Sequence, residues 1–214
     1  MILIVSAISS ETKRLITLLK GSKVETIPGL WKSEEENVFI SALGVGYLEA
    51  ALKLRDLLFQ IDIKQVEGII FCGTAGVYNE QDGLGIGDIC SCCETILTDA
   101  AAEAGLSHFA TPLIKGPIQS SFQLQLELSE ACVMTLLTLT LSEEIAGTIG
   151  SRVKGAVENM ELFGIARVCD DLKIPWNAVL GITNQVGSKG NKQWTENHLD
   201  QENKLCDFLA EYLR

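Results

Sequence analysis

Histidine and basic residues are scarce in this sequence, and both shortages restrict its chemistry. The 214 residues include only two histidines, His108 and His198, and neither has a partner at the spacing of a metal site. Lysine and arginine number 17 against 28 acidic residues, so the formal net charge is −11 at pH 7. So acidic a surface repels nucleic acid backbones and anionic lipid headgroups. We therefore expect no metal, no other cofactor, no nucleic acid partner and no membrane association.

Long apolar runs and matched cysteine pairs are also missing. No apolar stretch reaches the length of a membrane-spanning helix. The seven cysteines are odd in number, and the cluster Cys90, Cys92 and Cys93 has neither a second cysteine pair nor suitably spaced histidines to match it. Several cysteines lie in apolar runs, where a free thiol behaves as a small hydrophobe. We expect seven reduced cysteines in a cytoplasmic protein.

The order of apolar patterns predicts the fold class. Hydrophobic residues make up 47% of the chain and charged residues 21%, as in a globular protein with a large core. Runs rich in β-branched residues alternate with segments whose apolar residues recur at helical spacing. This alternation predicts one domain, 1–214, with an α/β sandwich around a mixed or mostly parallel sheet. Strands are predicted over 1–7, 66–72, 88–97, 136–141 and 178–182, a hairpin over 31–43, and helices over 11–20, after Gly46, over 159–172 and over 196–213.

Four short segments follow predicted strands and are candidates for a ligand site. They are 9–11, 44–46, 73–76 and 183–187. In α/β sheets, ligands bind beyond the carboxyl ends of strands, where backbone N–H groups point outward. The turn at 44–46 is not a dinucleotide fingerprint, because Glu49 stands where the third glycine would be, and a plain tight turn also explains it. The small residues of 73–76 allow close approach of a ligand, and Thr74 adds a hydroxyl.

The polar residues near these segments each have an explanation that needs no ligand. Glu11 and Glu161 both suit the first turn of a helix, where the helix dipole favours a carboxylate. Asn184 tolerates the backbone angles of a turn. Trp194 could fill a gap beside the last helix. Taken one at a time, these residues do not define a site.

In chain order, however, the segments resemble the nucleoside phosphorylase and nucleosidase superfamily along nearly the whole chain. The opening strand and the turn that ends in Glu11 resemble the start of the methylthioadenosine/S-adenosylhomocysteine nucleosidases. The similar segments that follow are Ala-Leu-Gly-Val-Gly at 42–46, Gly-Thr-Ala-Gly at 73–76, Gly-Ile-Gly-Asp-Ile at 85–89 and Val-Glu-Asn-Met-Glu at 157–161. The resemblance implies a nucleoside phosphorylase-like fold, a three-layer α/β/α sandwich around a central mixed β-sheet.

The end of the chain resembles one subgroup of that superfamily. Gly-Ile-Thr-Asn-Gln-Val-Gly at 181–187, followed by Trp194, is similar to the tail of the futalosine hydrolases. The resemblance implies hydrolysis of a purine N-riboside, with a role in menaquinone biosynthesis. Lys189 and Lys192, which lie beside this tail in the sequence, are candidates for binding the carboxylate of the futalosine benzoate.

The resemblance also implies roles for individual residues. Glu161 would accept hydrogen bonds from the ribose hydroxyls, and Met160 would pack against the nucleoside. Glu11 would position or deprotonate the attacking water, a contribution of about 10²–10⁴-fold. Thr74, together with Gly44 and Gly46, would line the pocket near the ribose and the water.

Two asparagines bear on the substrate. In adenine-releasing relatives the position of Asn184 holds an aspartate that donates a proton toward N7, which an asparagine cannot supply. Its amide suits hypoxanthine, donating to the 6-oxo group and accepting from a protonated N7, although a flipped amide could also bind adenine. Asn159 stands where those relatives often have glutamate, so the site carries one negative charge fewer, which suits an anionic substrate.

Other activities remain as alternatives at this stage. Phosphorylases of the superfamily carry an arginine two residues before their Gly-Thr pair, whereas this chain has Phe71 there, so hydrolysis is favoured. One alternative is a methylthioadenosine/S-adenosylhomocysteine or aminodeoxyfutalosine nucleosidase that releases adenine. Another is a nucleoside-binding module without catalysis, against which the presence of both Glu11 and Glu161 argues. The resemblance further implies a homodimer.

Overall fold

The structure is a computed structural model of the chain, and it describes residues 1–34, 37–79, 83–108 and 116–214. This part of the chain forms ten strands, six α-helices and a short 3₁₀ helix at Ile63–Gln65. The strands are β1 (Ile2–Ser6), β2 (Ser22–Lys23), β3 (Leu30–Lys32), β4 (Val38–Ala42), β5 (Gly68–Val77), β6 (Ile89–Leu97), β7 (Ile118–Gln119), β8 (Ser129–Thr135), β9 (Ala156–Glu158) and β10 (Trp176–Gln185). The helices are α1 (Ser10–Leu18), α2 (Tyr47–Gln60), α3 (Ala100–Glu103), α4 (Glu143–Arg152), α5 (Leu162–Leu172) and α6 (Gly190–Tyr212).

The strands form one mixed sheet. Its centre consists of β4, β1, β5 and β10, which run parallel in that order. The antiparallel strands β3 and β2 extend it beyond β4. On the other side β10 pairs with β6, β6 with β8, β8 with β9, and β9 returns to β5. Five strands therefore close into a ring beside the open part of the sheet.

Helices cover both faces of the parallel strands. On one face α2 and α5 contribute Leu54 and Ile165 to a core cluster that also contains Phe71 of β5. On the other face α1 and α6 contribute Leu15 and Leu205 to a second cluster with the neighbouring β5 residues. Successive side chains of a strand point to opposite faces, so β5 supplies both clusters and is buried on both sides. The predicted three-layer α/β/α sandwich around a mixed sheet is confirmed.

The predicted strand over 136–141 is wrong. The segment alternates leucine and threonine, a pattern typical of a strand, but β8 ends at Thr135. Both neighbouring strands end close to this level: β6 pairs last through Leu97 with Thr135, and β9 pairs last through Glu158 with Met134. With no ladder to join, the segment leaves the sheet, and it buries Thr140 while exposing leucines on either side.

The remaining predicted elements are confirmed, with changed boundaries. The hairpin over 31–43 is formed by β3 and β4, and positions 35–36 of its turn lie outside the described residues. The helix predicted over 159–172 begins only at Leu162, because the preceding residues form the loop that carries Glu161. The C-terminal helix begins six residues earlier than predicted, at Gly190. None of the described helices is long and apolar enough to cross a membrane.

Gly164 sets how closely α5 approaches α2, and this contact yields a testable prediction. A Cβ atom on Gly164 would lie 1.9 Å from the carbonyl oxygen of Tyr47, the first residue of α2. We expect Gly164→Ala to lower the free energy of unfolding by about 1–3 kcal/mol, because backbone must move to make room. Urea unfolding measures this loss.

Gly147, in α4, provides the matched control. A Cβ atom there would have no described atom within 4 Å, and alanine favours a helix over glycine by up to about 1 kcal/mol. Gly147→Ala should therefore keep or raise stability. A Gly164→Ala protein as stable as the Gly147→Ala protein would contradict the close contact between α2 and α5.

Candidate active site

A pocket of about 250 Å³ opens at the edge of the sheet where β1, β5 and β10 end. The loops after β4, β8 and β9 and the start of α6 complete its walls. Its lining residues are Ala7, Ile8, Glu11, Val45, Thr74, Ala75, Gly76, Leu139, Thr140, Leu141, Glu158, Asn159, Met160, Glu161, Thr183, Asn184, Val186, Gly187, Gly190, Asn191 and Trp194. All four segments singled out from the sequence, 9–11, 44–46, 73–76 and 183–187, thus contribute to one pocket.

Glu11 is a buried carboxylate fixed by backbone. It lies in the first turn of α1 and is 6% exposed. Its Oε2 accepts hydrogen bonds from Ala7 N at 2.9 Å and Ile8 N at 3.0 Å, while its own carbonyl accepts from Cys206 Sγ at 3.1 Å. Burial, reinforced by the nearby carboxylates, raises the pKa of Glu11 to about 8. A carboxyl with such a pKa can exchange a proton near neutral pH.

Glu161 is the second buried carboxylate, and a glycine turn holds it. It is 5% exposed and immediately precedes α5. Its Oε1 accepts a hydrogen bond from Gly46 N at 2.8 Å. Burial raises the pKa of Glu161, and this hydrogen bond opposes the increase because it stabilises the charged form.

Gly44 and Gly46 were expected to line the pocket, but the residue of this turn that lines it is Val45. The two glycines determine the shape of the turn. Both glycines have positive φ angles, 105° and 88°, which only glycine adopts without strain. A side chain on Gly44 would also collide with Glu49, since its Cβ would lie 2.5 Å from Glu49 Cγ. The glycines therefore act through the Gly46 N–H group that fixes Glu161.

Asn159 connects three parts of the site through its side chain. Its Oδ1 accepts hydrogen bonds from Glu161 N and Leu162 N, both at 3.0 Å, and so caps the start of α5. Its Nδ2 donates to the carbonyl oxygen of Thr74 at 3.1 Å. Asn159 thus positions the Glu161 backbone against β5, while Met160 beside it lines the pocket.

Asn184 and Trp194 also line the pocket. Asn184 Oδ1 accepts from Thr183 Oγ1 at 2.8 Å, and Nδ2 donates to Gln185 O at 3.2 Å. An amide group keeps a second N–H and a second lone pair after these two bonds, so Asn184 can still both donate to a ligand and accept from it. Trp194 Nε1 donates to Thr74 Oγ1 at 3.4 Å.

Several lining residues escaped the sequence analysis, and they include Glu158, Leu139, Thr140 and Leu141. Glu158 lies within the quoted motif at 157–161, but the resemblance assigned roles only to its neighbours. Thr140 and Leu139 lay in the segment predicted as a strand, so no signal directed them to a pocket. The two candidate lysines have other surroundings: Lys192 Nζ lies 3.8 Å from a carboxylate of its own helix, Glu196, and Lys189 precedes α6.

Metal ligands do not cluster in the part of the chain that the structure describes. Within those residues no group of three or more histidine, cysteine, aspartate or glutamate side chains could hold a metal ion. All seven cysteines are free thiols, and six of them are buried.

Comparison with known proteins places the chain in a family. Residues 2–214 match the family model described as the phosphorylase superfamily. The chain belongs to the phosphorylase superfamily. No curated protein sequence matches it significantly.

Solved structures of nucleosidases share its fold. The 5′-methylthioadenosine/S-adenosylhomocysteine nucleosidase of Helicobacter pylori, crystallised with a pyrrolidine-based ligand, has a TM-score of 0.83 at 18% identity, covering 99% of this chain and 96% of that chain. The futalosine hydrolase of H. pylori strain 26695 has a TM-score of 0.81 at 17% identity, covering 99% of this chain and 97% of that chain. The S-adenosylhomocysteine nucleosidase of Streptococcus pyogenes has a TM-score of 0.81 at 16% identity, covering 99% and 95%. At these identities the likeness establishes the fold.

The pKa of Glu11 makes the stability of the protein depend on pH. Folding raises this pKa from 4.5 to about 8, so the stability linked to the protonated carboxyl is complete below the lower value and is lost as pH rises through the upper one. The unfolding free energy of wild type should fall between about pH 5 and about pH 9. That of Glu11→Gln, which cannot ionise at this position, should fall by roughly 2–4 kcal/mol less over the same range. Denaturant unfolding across this range tests it.

An exposed carboxylate supplies the control for this measurement. Glu211→Gln, on the surface of α6, should follow the wild-type dependence on pH. Parallel curves for wild type and Glu11→Gln would show that Glu11 ionises normally in the folded protein.

Proposed function

We propose that this chain hydrolyses the N-glycosidic bond of futalosine, releasing hypoxanthine and dehypoxanthine futalosine for menaquinone biosynthesis. The observation that carries the proposal is the presence in one pocket of the buried carboxylates of Glu11 and Glu161 together with the amide of Asn184. The size of the pocket, about 250 Å³, suits a small molecule. Relatives with this fold include a futalosine hydrolase and methylthioadenosine/S-adenosylhomocysteine nucleosidases.

Glu161 is assigned to the ribose. A carboxylate held on one oxygen by Gly46 N–H keeps further lone pairs that accept hydrogen bonds from ribose hydroxyls. Such charge-assisted bonds contribute about 1.5–3 kcal/mol each. They strengthen as the ribosyl group becomes positively charged, so Glu161 stabilises the oxocarbenium-like transition state more than the ground state.

Glu11 is assigned to the water. In its ionised form it accepts a proton from the water that attacks the anomeric carbon on the face opposite the base. The backbone N–H groups of Ala7 and Ile8 hold Oε2, which fixes the direction of the carboxylate. When both are ionised, Glu11 and Glu161 would also repel inorganic phosphate, which favours hydrolysis over phosphorolysis.

Asn184 is assigned to the base. The remaining N–H of its amide donates to the 6-oxo group of hypoxanthine, and its carbonyl accepts from a protonated N7. Because an amide is not an acid, the proton on N7 must come from solvent. This pairing favours hypoxanthine over adenine as the leaving group, and a flipped amide would reverse the preference.

An adenine-releasing activity is the second candidate. The likeness to adenosine-type nucleosidases supports it, because their folds match this chain as well as that of the futalosine hydrolase does. The two candidate reactions use Glu11 and Glu161 in the same roles. They differ only in the base that is released and in the group that the ribose carries.

Release of free purine distinguishes these activities. Purified protein in phosphate-free buffer is given futalosine and, separately, methylthioadenosine, and the bases are quantified by chromatography. We expect hypoxanthine from futalosine and little adenine from methylthioadenosine. Glu161→Gln should lower kcat/KM at least about 100-fold, since two charge-assisted bonds weaken, whereas Glu211→Gln should be unchanged.

Each other outcome has a definite meaning. Adenine as the main product would replace futalosine by the second candidate. Release of neither base would favour a binding module without catalysis. Full activity of Glu161→Gln would overturn the ribose assignment.

In the same assay Asn184→Asp should shift the ratio of rates toward the adenine nucleoside, and an unchanged ratio would contradict the role of Asn184.

We also propose that the protein acts as a homodimer. Helix α2 starts at the pocket and presents a row of exposed apolar side chains, Leu48, Leu52 and Phe59, at helical spacing. They are 63%, 54% and 73% exposed, and Val45 continues the row to the pocket mouth. Exposed apolar patches of this kind mark interaction surfaces, and a second copy would bury the patch beside its own counterpart.

Light scattering coupled to size exclusion tests the dimer. We expect a mass about twice 23.2 kDa for wild type and about 23.2 kDa for Leu52→Glu. Leu106→Glu is the control, because Leu106 is 82% exposed outside α2, and it should remain dimeric. A monomeric wild type, or an unchanged mass for Leu52→Glu, would contradict this interface.

A further inference from the structure

Trp194 lines the pocket from the start of α6, and one hydrogen bond holds the edge of its ring. Its Nε1 donates to Thr74 Oγ1 at 3.4 Å, which is longer than most such bonds. A long bond to one ring atom leaves the indole free to swing about that atom, since the side-chain torsions remain to be fixed. A second contact is therefore needed to hold the plane of the indole at the pocket.

His198 supplies this contact from the next turn of α6. Residues four apart on a helix share a face, and the rings of Trp194 and His198 stack with centroids 4.2 Å apart and planes inclined by 13°. His198 Nδ1 lies 3.0 Å from the carbonyl oxygen of Trp194. A carbonyl oxygen only accepts, so Nδ1 carries a hydrogen and donates it to this bond. The imidazole is thus itself fixed, and it covers one face of the indole.

The position of α6 does not depend on this stack. The residue before His198, Asn197, ties the helix to β10, because its Nδ2 donates to the carbonyl oxygen of Thr183 at 2.9 Å. His198 itself stands behind Trp194 and outside the lining of the pocket. Removing the imidazole should therefore leave α6 in place and withdraw support only from the plane of the Trp194 ring.

We propose that His198 is a positioning residue for substrate binding, which holds the indole of Trp194 in a fixed plane against the bound nucleoside. The inference rests on the proposed function, since it assumes a nucleoside in this pocket. The indole N–H is a donor only and is bonded to Thr74, so Trp194 serves the substrate by contact area. Contact of this kind is made in the ground state and in the transition state alike. Loss of the stack should therefore raise KM and leave kcat unchanged.

Two substitutions at His198 separate its ring from its hydrogen bond. His198→Phe keeps a flat ring and loses the Nδ1 donor, whereas His198→Asn keeps a donor and loses the ring. We expect His198→Asn to raise KM about 3- to 10-fold, as the loss of an aromatic pair implies, with kcat within about twofold of wild type. His198→Phe should restore both constants to within about twofold of wild type.

Steady-state hydrolysis measures both constants. The substrate is futalosine, or methylthioadenosine if the wild type cleaves that nucleoside instead. Asp200, an exposed residue two positions after His198 on the same helix, gives the control. Asp200→Asn should leave KM and kcat unchanged.

Fluorescence quenching by acrylamide tests the stack without any substrate. The emission of Trp194 is obtained as the difference between each protein and the same protein carrying Trp194→Phe, which removes the contributions of Trp31 and Trp176. Quenching of this difference emission should increase in His198→Asn, because the second face of the indole becomes accessible. It should stay at the wild-type level in His198→Phe. Unchanged quenching in His198→Asn would contradict the support of Trp194 by His198.

The remaining outcomes separate this inference from the proposed function. An equal rise in KM for His198→Phe and His198→Asn would assign the effect to the Nδ1 bond, and an unchanged KM for both would show that binding does not depend on the stack. A large fall in kcat with unchanged KM would make His198 part of the chemistry. In each of these cases the inference fails while the proposed function stands. Wild-type protein that cleaves no purine nucleoside would refute the proposed function, and the inference with it, whatever the quenching shows.

Discussion

The burial of two carboxylates against backbone N–H groups is the constraint on which the site depends. A buried carboxylate is costly unless hydrogen bonds offset its lost hydration. Ala7 and Ile8 provide these bonds for Glu11, and Gly46 provides one for Glu161. Each donor lies just beyond a parallel strand, so the strand ends must meet before either carboxylate can be held. The three-layer fold is therefore what makes the pair of carboxylates tolerable.

Much of this arrangement could be predicted from the sequence. Buried strands read as continuous apolar runs, which is why β1, β5 and β10 were found, and parallel strands end at one edge, which brought Glu11, Thr74 and Asn184 together. The 136–141 segment could not be predicted, because its alternation is that of a strand, and only the ends of the neighbouring β6 and β9 stop the ladder. An alternating pattern indicates that a segment can form a strand. Whether it does so depends on whether a neighbouring strand extends far enough to pair with it.

Asn159 shows the same limit for a single residue. The resemblance treated it as a change of charge near the ribose, whereas its side chain caps α5 and holds the Thr74 carbonyl. The two descriptions are compatible. An amide is uncharged, and it can accept hydrogen bonds from the start of the helix while donating one to Thr74, which an ionised carboxylate could not do. Bonds from side chain to backbone across 85 positions leave no trace in local sequence patterns.

The different ways in which the pocket residues are held bear on how relatives of one fold acquire different substrates. Glu11 and Glu161 sit on backbone that the sheet fixes, so sequence can diverge to 16–18% identity while the fold that holds them persists. Thr140 and Asn184, which also line the pocket, are held differently: Thr140 belongs to an irregular segment tied to the sheet through Glu158, and Asn184 follows an irregularity in β10. Such segments change without disturbing the core. On the proposed assignments, the residues near Asn184 can therefore change while Glu11 and Glu161 stay in place, and fold alone does not determine the substrate.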